Sequence, residues 1–295
     1  MKVLNFGSMN IDSVYAVDHI VNGGETIASS ALDLFPGGKG LNQSVALARA
    51  GVETFHAGAV GPDGQMLIDV LNESGVSTQF VKESEIRSGN AIIQLAANGE
   101  NSIILFAGAN RTLTRSYIDE VIDAFDEGDI LLLQNEINEI SYLIEAGYKK
   151  GLRVAFNPSP FDENIPACDL QKVSVFFVNE IEGAQLTGVA DSENICRKLA
   201  EMFPVATIVL TLGSDGAMLA SNGRVFRHGV YDVDVVDSTA AGDTFTGYFM
   251  AAILGGASES EALEQASKAS ALAIGKKGAS TSIPYKDQVR DARLP

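Results

Sequence analysis

The chain has 295 residues, 46% of them hydrophobic, which is enough for one large α/β domain or two smaller ones. Acidic residues outnumber basic ones to a formal net charge of −17, which argues against nucleic acid and anionic membranes as partners, and a charged fraction of only 20% excludes global disorder. Two cysteines, Cys168 and Cys196, and three histidines, His19, His56 and His228, fit no metal-ligand spacing. Sparse cysteine, a strand-like Val3–Phe6 and the lack of a signal-type or membrane-length apolar run predict a soluble, cytoplasmic, unprocessed protein.

In chain order, short apolar runs alternate with segments of helical period. Val3–Phe6, Phe55–Val60, Ile130–Gln134, Arg153–Phe156, Val175–Val178 and Thr207–Thr211 read as buried strands. Gly40–Ala50, Gln65–Glu73, Arg115–Phe125, Glu139–Lys149, Glu180–Leu186 and Ser192–Met202 read as helices between them. Asp243–Leu254 and Ser258–Ile274, separated by Gly255-Gly256, read as two longer closing helices. This alternation predicts a mostly parallel sheet with helices on both faces. Two segments break the rhythm: 12–36 and 88–107 carry alternating β patches, and Asn98-Gly99 marks a hairpin. They are expected to form a small discontinuous β lid, or a dimer contact, on a main domain made of 1–11, 37–87 and 108–295.

The segment Asp237–Phe245 carries the clearest chemistry. Small residues at a helix start let backbone N–H groups face an anion, and Asp243 beside them can accept a proton. Phosphoryl transfer to a hydroxyl needs that pairing, although an ordinary capped helix also fits. Gly37-Gly38-Lys39-Gly40 is neither a Walker A loop nor a dinucleotide fingerprint, but allows close backbone approach beside a cation. Asn10 and Asp12 follow the first strand and suit either sugar hydroxyls or an Asx turn. The acids of Asn179-Glu180-Ile181-Glu182 suit either Mg²⁺ held through waters or a capped helix. Thr211–Gly216 suits a phosphate cradle or a plain turn.

Together and in this order, Asn10-Ile11-Asp12, Gly37–Gln43, Ala107–Asn110, Asn157–Pro160, Asn179–Glu182, Thr211–Gly216 and Ser238–Thr244 resemble the ribokinase (PfkB-type) sugar kinases, from about residue 3 to Pro284. The resemblance implies a three-layer α/β domain with a β lid, ATP as donor and Mg²⁺ as helper. It implies Asp243 as the base, with the N–H groups of Ala240, Ala241 and Gly242 as the anion hole. Asn10, Asp12, Gly38, Lys39, Asn42 and Glu136 would bind the sugar; Asn179, Thr211, Gly213 and Ser267 the nucleotide; Glu182 would organise Mg²⁺. Asp237, Thr239, Ala273, Gly278 and Ser282 lie where the family binds a monovalent cation, taken here as K⁺. A homodimer through the lids is a further family expectation.

Ser267 departs from the Asn or His often found there, Leu41 from the usual Ala and Ile11 from the usual Met. The Asn10/Asp12 pair and Ala109-Asn110 favour D-ribose over fructose or adenosine. Other acceptors of the family (fructose, 2-keto-3-deoxygluconate, pseudouridine) and a non-catalytic sugar sensor are the alternatives. A dinucleotide-dependent oxidoreductase is disfavoured because no strand-linked GxGxxG lies near the N-terminus.

Overall fold

Alternation of side chains along each strand sets the architecture. In the computed structural model, which describes residues 1–295, β1 (Val3–Phe6) turns Leu4 and Phe6 into one hydrophobic core and Val3 into a second on the opposite face. β8 (Ile130–Gln134) does the same, with Leu131 and Leu133 on one side and Ile130 and Leu132 on the other. A strand buried on both faces needs helices on both.

The first core is closed by α3 (Arg115–Asp123), α4 (Ile140–Lys150) and α6 (Ser192–Met202). The second is closed by α1 (Lys39–Arg49), α2 (Gln65–Glu73), α7 (Ala241–Leu254) and α8 (Glu259–Ile274). β10 (Val173–Asn179) feeds α5 (Glu180–Thr187), and α9 (Lys286–Asp291) ends the helical part.

The central sheet has nine strands. With β4 (Thr54–Val60), β5 (Ser77–Glu83), β9 (Arg153–Asn157), β11 (Thr207–Thr211), β12 (Ala217–Ser221) and β13 (Arg224–His228), its order is β13-β12-β11-β10-β9-β8-β1-β4-β5. The seven strands from β5 to β11 run parallel, and β12 and β13 add an antiparallel hairpin. β5, β12, β13 and α9 have no counterpart among the elements predicted from the sequence. Two of these strands are sheet edges, with polar residues such as Thr78, Gln79, Arg224 and Arg227, and β12 is alanine-containing, so none presents a sharp β-branched run.

A separate four-stranded sheet has the order β3-β2-β6-β7, from β2 (Asn10–Val17), β3 (Ala31–Gly37), β6 (Gly89–Ala96) and β7 (Asn101–Phe106). The β6–β7 hairpin turns at Asn98-Gly99, with Gly99 at φ 87°. Because only three residues separate the end of β1 from the start of β2, the small sheet stands directly over the carboxyl ends of the parallel strands.

Candidate active site

Parallel strands deliver their carboxyl ends to one edge, where α/β proteins bind ligands. Ser8 and Asn10 follow β1, Gln134 and Glu136 close β8, Asn157 ends β9, Asn179 ends β10 and Thr211 ends β11. Helices α1 and α7 point their N-termini at the same edge, bringing Lys39, Asn42 and Gln43 opposite Asp243.

Asp243 is 8% exposed, and both its carboxylate oxygens are held. Oδ2 accepts from Asn42 Nδ2 at 3.0 Å and Oδ1 from Gln43 Nε2 at 2.9 Å. Gln43 Oε1 accepts from Gln134 Nε2 at 2.7 Å, and Gln134 Nε2 also donates to Asn5 Oδ1 at 3.0 Å. This run of buried amides fixes the direction of the carboxylate without neutralising it. Asn42 Oδ1 is buried with no partner in the chain, which leaves it able to accept from a ligand.

A second carboxylate anchors α1. Glu136 Oε2 accepts from the Lys39 backbone N–H at 3.0 Å and from the Ser8 hydroxyl, and Ser8 Oγ accepts from Gly40 N–H at 3.2 Å. Burial works against the charge on the Lys39 ammonium, but Asp243, Glu136 and Glu182 outweigh it and raise its pKa above the ordinary lysine value. Asp12 packs against Gly37, where an added Cβ would strike its carboxylate. Burial, then the charges of Glu136 and Asp243, push Asp12 up to about 7. Asn10 Oδ1 accepts from Asn110 Nδ2 at 2.7 Å, and Asn110 Oδ1 accepts from the Met9 N–H at 2.9 Å.

The wall beside Asp243 at the start of α7 is built from backbone. Ala240 adopts a left-handed conformation, φ 60° and ψ 12°, which costs an alanine about 1–2 kcal/mol. That turn closes the Ala241 N–H on the Ser238 carbonyl at 3.2 Å. The expected trio of free N–H groups is therefore corrected: Ala241 is engaged, and Ala240, Gly242 and Asp243 are the N–H groups with no acceptor in the chain. A Cβ built on Gly242 meets nothing within 4 Å.

Asp243, Lys39, Asn179, Glu182 and Gly242 line one cavity of about 360 Å³. It shares Thr211, Gly213, Ser238, Ala241 and Gly242 with an adjoining cavity of about 710 Å³ whose far wall carries Ser267 and Phe245. The carboxylate thus faces a small polar chamber that opens, past Gly242, into a larger apolar one. A separate cavity of about 890 Å³ between α6 and the β12–β13 hairpin contains none of these residues.

Asn179 and Glu182 form a reciprocal capping box: Asn179 Oδ1 accepts from Glu182 N–H at 2.9 Å, and Glu182 Oε2 accepts from Asn179 N–H at 3.1 Å. The helix-cap alternative is therefore what the pair does locally, while Glu182 still lines the small chamber. Asp237 Oδ1 accepts from Thr239 N–H and hydroxyl at 2.9 and 2.6 Å, and Oδ2 from Gly278 N–H at 3.0 Å. Burial opposes its charge, but these bonds and Lys277 outweigh it and lower the carboxyl below its ordinary value. The Ala273 carbonyl accepts from Lys276 N–H at 3.1 Å, and Ser282 donates to Ala279 O at 2.9 Å.

Ser8, Asn5, Gln43 and Gln134 were not among the expected site residues. Gln43 stood inside the Gly37–Gln43 motif, but the other three carry no spacing that marks them.

The chain belongs to the pfkB family of carbohydrate kinases, whose model matches residues 1–286. Among relatives, it is 32% identical over 292 residues to ribokinase of Haemophilus influenzae, covering 96% of this chain and 95% of that protein. It is 35% identical over 305 residues to ribokinase of Schizosaccharomyces pombe, covering 96% and 95%. The fold matches Arabidopsis thaliana ribokinase complexed with ribose and ATP at TM-score 0.88 and 30% identity, covering 98% of this chain and 97% of that one. The protein is thus a sugar kinase, and no helix is long and apolar enough to cross a membrane.

Proposed function

We propose that the protein transfers the γ-phosphoryl group of ATP to a primary hydroxyl of D-ribose. The observation that carries this reading is the buried Asp243 carboxylate, held by Asn42 and Gln43 and facing a chamber beside unpaired N–H groups. Full-length similarity to ribokinases, including one solved with ribose and ATP, supports ribose as the acceptor.

Asp12, Asn10, Asn42 and Glu136 would orient the sugar so that its hydroxyl reaches Asp243. Asp243 takes the hydroxyl proton as the sugar oxygen bonds to the γ-phosphorus. The bond from that phosphorus to the β,γ-bridging oxygen breaks, and ADP leaves with the electron pair. The N–H groups of Ala240, Gly242 and Asp243 and the Lys39 ammonium stabilise the charge on the transferred group. Thr211, Gly213 and Ser267 would line the nucleotide's path.

The donor set of the small chamber fits Mg²⁺ carried on nucleotide phosphates, since a hard cation takes one carboxylate plus phosphates and waters, and Glu182 is placed to supply the carboxylate. When bound, the ion would offset phosphate charge. The ionised Asp237, with Thr239, Ala273, Gly278 and Ser282 around the same loop, suits K⁺ bound mainly through carbonyl oxygens.

The lid also suits a second copy of the chain. Strand register puts Asp12, Phe35, Ala91 and Leu105 on one face, and Leu34, Ile92, Ile104 and Phe106 on the other. Leu34, Ile104, Leu105 and Phe106 are all more than half exposed, which is more apolar surface than a polyol covers. Sedimentation showing a monomer at micromolar concentration overturns the dimer.

The deciding experiment is ADP release with ribose, in potassium and in sodium buffer, for the parent and Asp243→Asn. The parent should turn over, faster in potassium, and the variant should lose roughly 10²-fold or more in kcat while still binding sugar. Near-normal turnover by the variant removes the base from Asp243.

A further inference from the structure

A buried serine links the stem of the lid to the phosphate-binding turn. Ser280 is fully buried, and its hydroxyl donates to the Pro36 carbonyl at 3.2 Å. Pro36 is the point where β3 leaves the lid for Gly37-Gly38 and helix α1. Arg49, at the far end of α1, clamps the same loop. Its Nη1 donates to the carbonyls of Ser280 and Ile283 at 2.8 and 2.7 Å, and its guanidinium lies 4.8 Å from the centre of the Tyr285 ring.

Two residues before Ser280, the Gly278 N–H donates to Asp237 Oδ2. Asp237 Oδ1 holds Thr239, the neighbour of the left-handed Ala240. The N–H groups of Val236 and Asp237 are pinned to the Ile274 carbonyl at 2.8 and 3.1 Å. Hydrogen bonds and the short backbone stretch Gly278–Ser280 therefore connect the lid stem, through the 278–283 loop, to the turn that presents the free N–H groups.

We propose that Ser280 is a positioning residue that couples the lid to this turn, so that sugar and nucleotide strengthen each other's binding. This rests on the kinase reading above. When the lid stem shifts, Pro36 O either carries Ser280 with it or leaves the buried Ser280 hydroxyl without its acceptor, which is unfavourable. Arg49 holds the loop at two carbonyls, so the loop responds as a unit instead of absorbing the shift. Reciprocity of linkage requires the effect to be equal in both directions.

The test is calorimetry of D-ribose binding in one potassium buffer, with and without saturating β,γ-methylene-ATP, for the parent, Ser280→Ala and Ser280→Cys. The cysteine variant keeps the buried volume but offers only a weak donor, so it gives the same reading if alanine disturbs the fold. In the parent the nucleotide should tighten ribose binding by about 5-fold or more, a usual size for coupling between sites. In both variants the factor should fall below about 2-fold, while each ligand alone binds within about 3-fold of the parent. A parent without coupling, or variants that keep it, overturns the proposal, as does equal weakening of both binary affinities with a lowered melting temperature. Failure of the parent to bind ribose or nucleotide overturns the kinase reading instead.

Discussion

The two walls of the site, which the proposed mechanism assigns to the sugar side and the phosphate side, hold their groups by opposite means. On the sugar side, side chains from β1, β8, α1 and α7 converge, and each is fixed by another: Asp243 by Asn42 and Gln43, Gln43 by Gln134, Glu136 by Ser8. On the phosphate side, small residues and one left-handed alanine leave backbone N–H groups bare. The first wall depends on distant partners, so it is sensitive to changes that never touch a ligand. The second presents no side chains to a ligand, so it is sensitive above all to whatever fills the space in front of its N–H groups.

The largest effect should come from filling the bare wall. Gly242→Val adds side chain into open space, so the fold should be kept, with the melting temperature within a few degrees of the parent. Activity in the ADP-release assay should fall roughly 10³-fold, the scale of losing one preorganised donor or more. Retained turnover would place the phosphate elsewhere. Cutting the supported wall comes next. Gln43→Ala leaves Asp243 Oδ1 and Gln134 Nε2 each short of a buried partner, and urea unfolding should show a loss of about 1–3 kcal/mol. Turnover should drop as well, about 10-fold, because the carboxylate loses its aim. Unchanged turnover would mean the amides are structural only.

The smallest effect concerns the crowding of acids that the sugar wall tolerates. Asp12 titrates at about 7 in the folded protein and near the ordinary 3.8 when unfolded. Between those values the folded state holds a proton that the unfolded state has released, so stability falls as pH rises through this window and is level above it. Asp12→Asn removes that penalty. At pH 8 the variant should melt a few degrees higher than the parent, an advantage that shrinks to nothing near pH 4. Ribose affinity should fall in the same variant, about 10-fold, since a charged acceptor is lost. An equal melting advantage at both pH values would show that the carboxyl is not the cause.

Most of the parallel strands and their helices were legible because burial on both faces produces unmistakable apolar runs, as in Ile130–Gln134. The edge strands β5 and β13 were not, because half of each faces solvent and the pattern thins to polar residues. In the site, Asp243, Lys39 and Asn42 could be picked out from their motifs. Ser8 and Gln134 could not, since one hydroxyl and one amide at strand ends look like any others until the strands are laid side by side. The run of small residues was legible, but which of its N–H groups are free depended on the φ of Ala240, which composition does not report.

The sequence by itself determined the alternation of layers, the family, and the residue types that gather at the carboxyl edge of the sheet, because periodicity and small-residue motifs are local properties. Tertiary structure alone decided which groups meet: that Gln43 and Asn42 take one oxygen each of Asp243, that Glu136 caps the helix carrying Lys39, and that Ser280 reaches the lid stem 244 positions away. Such pairings follow from strand order and loop closure, which no window of neighbouring residues encodes.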